Sequence, residues 1–174
     1  MDIQEVKTTN IEGTQLNSWT AIENSLPTLT SDKLSQVNGD STNALMVNIS
    51  TKSDKTVPAS TVKTLAKSPA SGMHVFIGNN DAVTFVKAVD YSKYAGVNFA
   101  HFDTITENSR VIDFLNKADL NALVMFHTVV PANKNVKIFK VVNGQEVLIA
   151  EMTSTELGRI CFVIDSTAKY VLRY

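Results

Sequence analysis

Side chains able to do acid–base, nucleophilic or metal chemistry are dispersed along this 174-residue chain, and their spacing matches no reactive motif. There are three histidines, His74, His101 and His127, and one cysteine, Cys161. Structural and catalytic metal sites need donors at short, repeated spacings such as HExxH or CxxC, and none occurs. His101 in NFAHFD and His127 in MFHT fall inside strand-like runs, where a histidine is a satisfied strand residue by default. No metal site is therefore expected. Cys161 alternates with Val163 and opposite Ile160, Phe162 and Ile164, which reads as a small buried hydrophobe. A nucleophilic thiol would want a nearby histidine and a lowered pKa. A lone cysteine also makes no internal disulfide.

Other reactive patterns are absent too. The carboxylates Asp113, Asp119, Glu146, Glu151 and Asp165 are dispersed, and a glycosidase pair among them is invisible in sequence. No nucleophile elbow, phosphate-binding loop or dinucleotide fingerprint occurs. Asn38-Gly39-Asp40 and Asn79-Asn80-Asp81 are oxygen-rich turns. A calcium loop would add donors at alternate positions and close on Glu, so turn chemistry explains both. The expectation is no catalytic residue, no cofactor and no enzyme activity.

Aromatic side chains are the remaining route to a ligand, because flat amphipathic rings stack on sugars and still hydrogen-bond. Tyr91 and Tyr94 lie in the loop DYSKYAG and are the leading ligand-binding candidates, since loops carry function. Trp19 is the third candidate, although its register with Ile22 and Leu26 favours the core. The loops at 30–43 and 90–96 are where ligand contacts are expected.

These residues must be positioned by a β-rich frame. The C-terminal third, from Ala118 to Tyr174, reads as five strands: ADLNALVMFHTVV, NVKIFKVV, EVLIAEM, RICFVID and YVLRY, in a meander. Asn143-Gly144 is the strongest hairpin signal in the chain. Upstream, ALMVNIS is a strand, MHVFIGNNDAVTFVKAV is a hairpin turning at Gly78–Asp81, and 97–106 is a strand. Residues 107–117, ENSRVIDFLNK, read as a helical turn or a loop, with Val111 and Leu115 four apart. Two short helices are expected. One covers 19–26, capped by Ser18 and stopped by Pro27. The other covers 60–67, capped by Ser60. No βαβ unit with a substantial crossover helix is visible. The fold class is all-β, mainly an antiparallel β-sandwich with two short helices. Residues 1–14 read as a flexible N-terminal segment or linker, and 15–174 as a single β-sandwich domain.

Net charge is −1, from 16 basic and 17 acidic residues, with no basic stripe, so nucleic acid is not an expected partner. No run of about 18 apolar residues is present, so membrane insertion is not expected. The polar start MDIQEVKTTN is not a signal peptide.

The chain resembles a β-sandwich module that recurs in exported, cell-surface or dockerin-bearing proteins of gut and rumen Firmicutes. The residues carrying the likeness are Trp19-Thr20-Ala21-Ile22, Val47-Asn48-Ile49, Val57-Pro58 with Val62 and Leu65, and the finish Phe162-Val163-Ile164-Asp165-Ser166 to Tyr170-Val171-Leu172. They span 18–174. The departures are Val83-Thr84-Phe85, where that hairpin carries Trp and Gly, and Val130-Pro131 in place of a Leu-Pro turn. The resemblance implies a secreted or cell-surface, monomeric, non-catalytic module. It would bind a polysaccharide or another surface or scaffold protein in a polysaccharide-degrading system. The alternative it implies is a structural spacer or stalk with no ligand.

Overall fold

The computed structural model describes residues 10–11, 14–15, 18–28, 44–49, 55–68, 72–78, 80–86 and 91–174. The strands form two five-stranded sheets, and period-two alternation buries one side most plainly in β7 (Ser109–Phe114) and β11 (Arg159–Ser166). The first sheet contains β3 (Ala44–Asn48), β4 (Gly72–Gly78), β5 (Asp81–Val86), β8 (Asp119–Val129) and β11 (Arg159–Ser166), in the order β11-β8-β5-β4-β3. The second contains β6 (His101–Ile105), β7 (Ser109–Phe114), β9 (Asn135–Val142), β10 (Gln145–Thr153) and β12 (Lys169–Arg173), in the order β10-β9-β12-β7-β6. A small antiparallel hairpin, β1 (Asn10–Ile11) with β2 (Thr14–Gln15), lies within and just beyond the segment expected to be a linker. The all-β class with two short helices is what the sequence led us to expect.

The core lies between the sheets. Val75, Val83, Phe126, Phe162 and Ile164 face Ile112, Phe114, Ile138, Tyr170 and Leu172. Two ring contacts bridge the layers: Phe114 meets Phe126 edge-on at 5.9 Å and 82°, and Phe162 meets Tyr170 at 5.9 Å. Such aromatic pairs add about 0.5–1.5 kcal/mol each beyond their buried area. The Tyr170 hydroxyl donates to the carbonyl of Ser166 at 2.8 Å, and burial pushes its pKa up to about 12.

The C-terminal third forms all five expected strands, but they are not a meander. Only β9 and β10 pair as consecutive neighbours, through Asn143-Gly144, whose φ values of 51° and 78° suit a tight hairpin turn. β8 pairs with β11 and β5, and β12 with β9 and β7. Between β8 and β12 the chain therefore crosses between sheets three times, in two arches at 130–134 and 154–158 and in a tight link at 167–168. Ser154 ties the arches together: its hydroxyl donates to Pro131 O at 2.7 Å and accepts from Lys134 N at 2.9 Å. Alternation reveals which face a residue takes, and it is silent on which strand lies alongside.

Three further expectations change. Residues 109–114 are the strand β7, not a helical turn or a loop. The expected strand at 97–106 shortens to β6, with Val97 and Phe99 buried ahead of it. β3 and β4 pair in parallel, and helix α2 (Ala59–Leu65) connects them, so a short βαβ crossover does exist. Helix α1 (Trp19–Ser25) is capped as expected, with Ser18 Oγ accepting from Ala21 N at 3.1 Å. Ser60 does not cap α2. Its hydroxyl and that of Thr61 donate to Glu23 Oε2 at 3.0 Å each, fastening α2 to α1. No helix among the described residues is long and apolar enough to cross a membrane.

Gly158 is the tightest backbone position. It has φ +76°, and a Cβ there would lie 1.9 Å from the carbonyl oxygen of Val130. That carbonyl belongs to the residue whose N–H donates to Gly158 O at 2.7 Å. Gly158→Ala should cost roughly 2–4 kcal/mol, through positive-φ strain plus separation of the arches. A urea titration would read this as a lower midpoint at unchanged slope. An unchanged midpoint would show that the arches relax freely.

Candidate functional site

The most concentrated chemistry is a charged cluster between the sheets. Asp81 opens β5 on the same inward face as Val83, and Thr128 lies on the inward face of β8 with Val124 and Phe126. His101 and Asp103 face inward from β6, and Arg110 faces inward from β7 beside Ile112 and Phe114. Asp81 and Thr128 are 0% exposed and Arg110 is 3% exposed.

Arg110 holds the cluster together. Its Nη2 donates to Asp81 at 2.7 and 2.9 Å and to Asp103 Oδ1 at 2.8 Å, and its Nε reaches Asp103 at 3.2 Å. Its Nη1 donates to Val129 O at 3.1 Å and to the Thr128 hydroxyl, which in turn donates to Asp81 Oδ1. The planar fork suits such multiple acceptors. His101 Nδ1 lies 3.0 Å from Phe99 O, and its Nε2 lies 2.8 Å from Asp81 Oδ2. Both partners are acceptors, so the geometry favours the protonated ring, which has a donor on each nitrogen. Burial opposes that charge, but hydrogen bonds to Asp81 and Phe99 and the nearby carboxylates outweigh it and raise the pKa. Two carboxylates thus face two cations, and the cluster is close to neutral.

Asp81, His101 and Asp103 bring donor atoms within 4.8 Å of one another, a spacing that suits a cation. Arg110 already lies against both carboxylates, so the positive charge is supplied by the chain. The side chains of Asp81, His101, Asp103 and Arg110 are at most 9% exposed, and their charges meet one another within the cluster, which makes it a buried ion network.

A second polar group lies on the opposite face of the first sheet. Thr84 Oγ1 is 2.9 Å from His74 Nδ1 and 2.8 Å from His127 Nε2, and the two rings are 5.9 Å apart. Burial lowers the pKa of His127 to about 4, helped by the charge His74 would carry, and burial lowers that of His74. Cys161 lies across the strand pair from His127. It shares this outer face with Val163, as alternation placed it, but is half-buried where a buried hydrophobe was expected, and burial raises its pKa. A histidine does neighbour the thiol, but burial dominates and the net shift of its pKa is upward, opposite to what a nucleophile needs.

Two of the three aromatic candidates are buried. Tyr94 is 0% exposed and Trp19 6% exposed, so neither offers a face to a sugar. The loop expected to expose Tyr94 is a 3₁₀ turn, Tyr91–Tyr94, packed on α2 and β8, which turns that ring inward. The side chain of Tyr91 and the loop at 30–43 lie outside the described residues. Sequence reasoning missed Asp81, Asp103 and Arg110. The available signal was a charged residue in the apolar register of each of β5, β6 and β7.

Fold and site together define an all-β chain whose two sheets share a buried ion network. Comparison with protein-family models, curated proteins and solved structures gives no match.

Removing Arg110 leaves two buried carboxylates short of a counter-charge. Arg110→Met should cost roughly 3–5 kcal/mol, measured by urea denaturation. A loss under about 1 kcal/mol would mean that water reaches the cluster. The two histidine environments also set opposite pH limbs. The raised pKa of His101 gives stability that is complete below about 6.5 and lost as pH rises through the folded value. The lowered pKa of His127 gives stability complete above about 6.5 and lost as pH falls towards 4, on the order of 3 kcal/mol. Urea midpoints between pH 4 and 9 should pass through a maximum. His101→Gln should flatten the alkaline limb and His127→Gln the acid limb. A profile that either variant leaves unmoved refutes that assignment.

Proposed function

We propose that the chain is a non-catalytic, extracellular or cell-surface interaction module that binds a protein segment rather than a polysaccharide. The observation carrying this reading is the open edge strand β6. It ends the second sheet and, among the described residues, no strand pairs with its free side. Phe102 is 67% exposed and Ile105 68% exposed. Natural edges are guarded by Lys, Pro, bulges or inward charges. HFDTI has no Lys, Pro or bulge, and its inward charges are already paired with Asp81 and Arg110. The other edge of that sheet, β10, is broken by a bulge between Leu148 and Ala150. An extended segment adding to β6 would gain ladder hydrogen bonds and cover Phe102.

Burial of Trp19 and Tyr94 argues against sugar stacking and supports the second reading, a spacer with no ligand. Panning a displayed random-peptide library against the chain separates the two. The interaction reading expects enriched peptides with alternating apolar residues that bind at least ten-fold more weakly to Phe102→Lys. An absence of enrichment supports the spacer. Retardation in affinity gels of starch, cellulose, xylan or mucin would overturn both.

A further inference from the structure

The outer face of the first sheet gathers soft metal donors. His127 and Cys161 are directly paired across β8 and β11, and Met125 lies two residues from His127 on the same face, paired with Val163. His127 is 2% exposed, and its Nδ1 has no hydrogen-bond partner among the described residues. Buried side-chain nitrogens are rarely left so, and each such case asks for an explanation.

The hydrogen bonds allow that nitrogen two forms. A threonine hydroxyl has one proton to donate. If His127 Nε2 carries the ring proton, it donates to Thr84 Oγ1, and Thr84 donates onward to His74 Nδ1. Nδ1 of His127 is then a bare lone pair. The other tautomer buries an unpartnered N–H instead. The two nitrogens of an imidazole diverge; Nε2 is bonded to Thr84 on β5, and β11 with Cys161 flanks β8 on its other side. This matches the arrangement of metal-bound histidines, whose far N–H is held by a neighbouring oxygen.

We propose that His127 Nδ1 and Cys161 Sγ bind a soft monovalent cation, Cu(I), with the Met125 thioether as a weaker third donor. Thiolate, thioether and imidazole together favour Cu(I) over hard cations. Binding displaces the thiol proton, so affinity rises with pH. Cys161 is half-buried, which leaves a way in for the ion and makes its substitution mild.

The test is anaerobic titration of the full chain with Cu(I) against a competing chromophoric chelator. One equivalent should bind, with near-ultraviolet thiolate-to-copper charge transfer and release of about one proton. Cys161→Ser should abolish the charge-transfer band and weaken binding at least 100-fold. Met125→Leu should weaken it less and keep the band. Because His127→Gln risks misfolding, Thr84→Val serves as a second variant. It frees the far side of the ring and should weaken binding about ten-fold or more. Absence of stoichiometric binding, full retention in Cys161→Ser, or equal competition by Zn²⁺ each overturns the proposal.

Discussion

The guanidinium of Arg110 is the contact on which the two-layer arrangement depends. It projects from β7 in one sheet and bonds Asp81 of β5 and Thr128 of β8 in the other. It also bonds Asp103 of its own sheet. Taking an arginine and two carboxylates out of water costs several kcal/mol per ion, and only near-complete pairing offsets it. The geometry meets that demand, with the imidazolium of His101 supplying the second positive charge. A sliding of one sheet over the other would strand these charges, whereas apolar contacts tolerate such slips more readily. The network therefore specifies how the sheets are aligned, and the apolar core supplies the greater part of the stability.

The aromatic core extends from this network. His101 lies 5.4 Å from Phe114 and 6.1 Å from Phe126, so a charged ring meets two aromatic faces. Phe126 continues to Phe162, and Phe162 to Tyr170. These residues come from both sheets, so the chain crosses between layers to build one packed row. That requirement explains why 118–174 crosses between the layers three times where a simple meander would have kept five strands in one sheet.

Much of this was legible in the residues, for reasons that can be named. β11 alternates as RICFVID does, with Ile160, Phe162 and Ile164 buried and Cys161 and Val163 outside. Asn143-Gly144 turned where its tolerance of positive φ required. β7 was hidden because its inward row is Arg110, Ile112 and Phe114, and a charged residue at an apolar position breaks the pattern that marks a strand. The same masking concealed Asp81 and Asp103. Partners across sheets, such as Arg110 with Asp81, are far apart in sequence, and no local spacing encodes them. Tyr94 misled for the opposite reason: a polar, turn-like sequence contained the ring that the helices needed for packing.

The first sheet also works as a partition between two kinds of polar chemistry. β8 sends Thr128 inward to the ion network and its neighbour His127 outward to Thr84. β5 does the same with Asp81 and Thr84. One residue of strand register thus decides whether a side chain joins a carboxylate-rich cluster or an imidazole pair. The histidines show the consequence. His101, held by carboxylates, keeps its proton despite burial, and His127, facing another histidine, gives its proton up. Burial is similar for both, so the neighbouring charge decides the outcome. A neutral imidazole with one nitrogen bonded and the other without a partner among the described residues follows from that placement, and it makes the outer face of the sheet, rather than the conspicuous ion network, the place where we propose that a metal ion enters the chemistry.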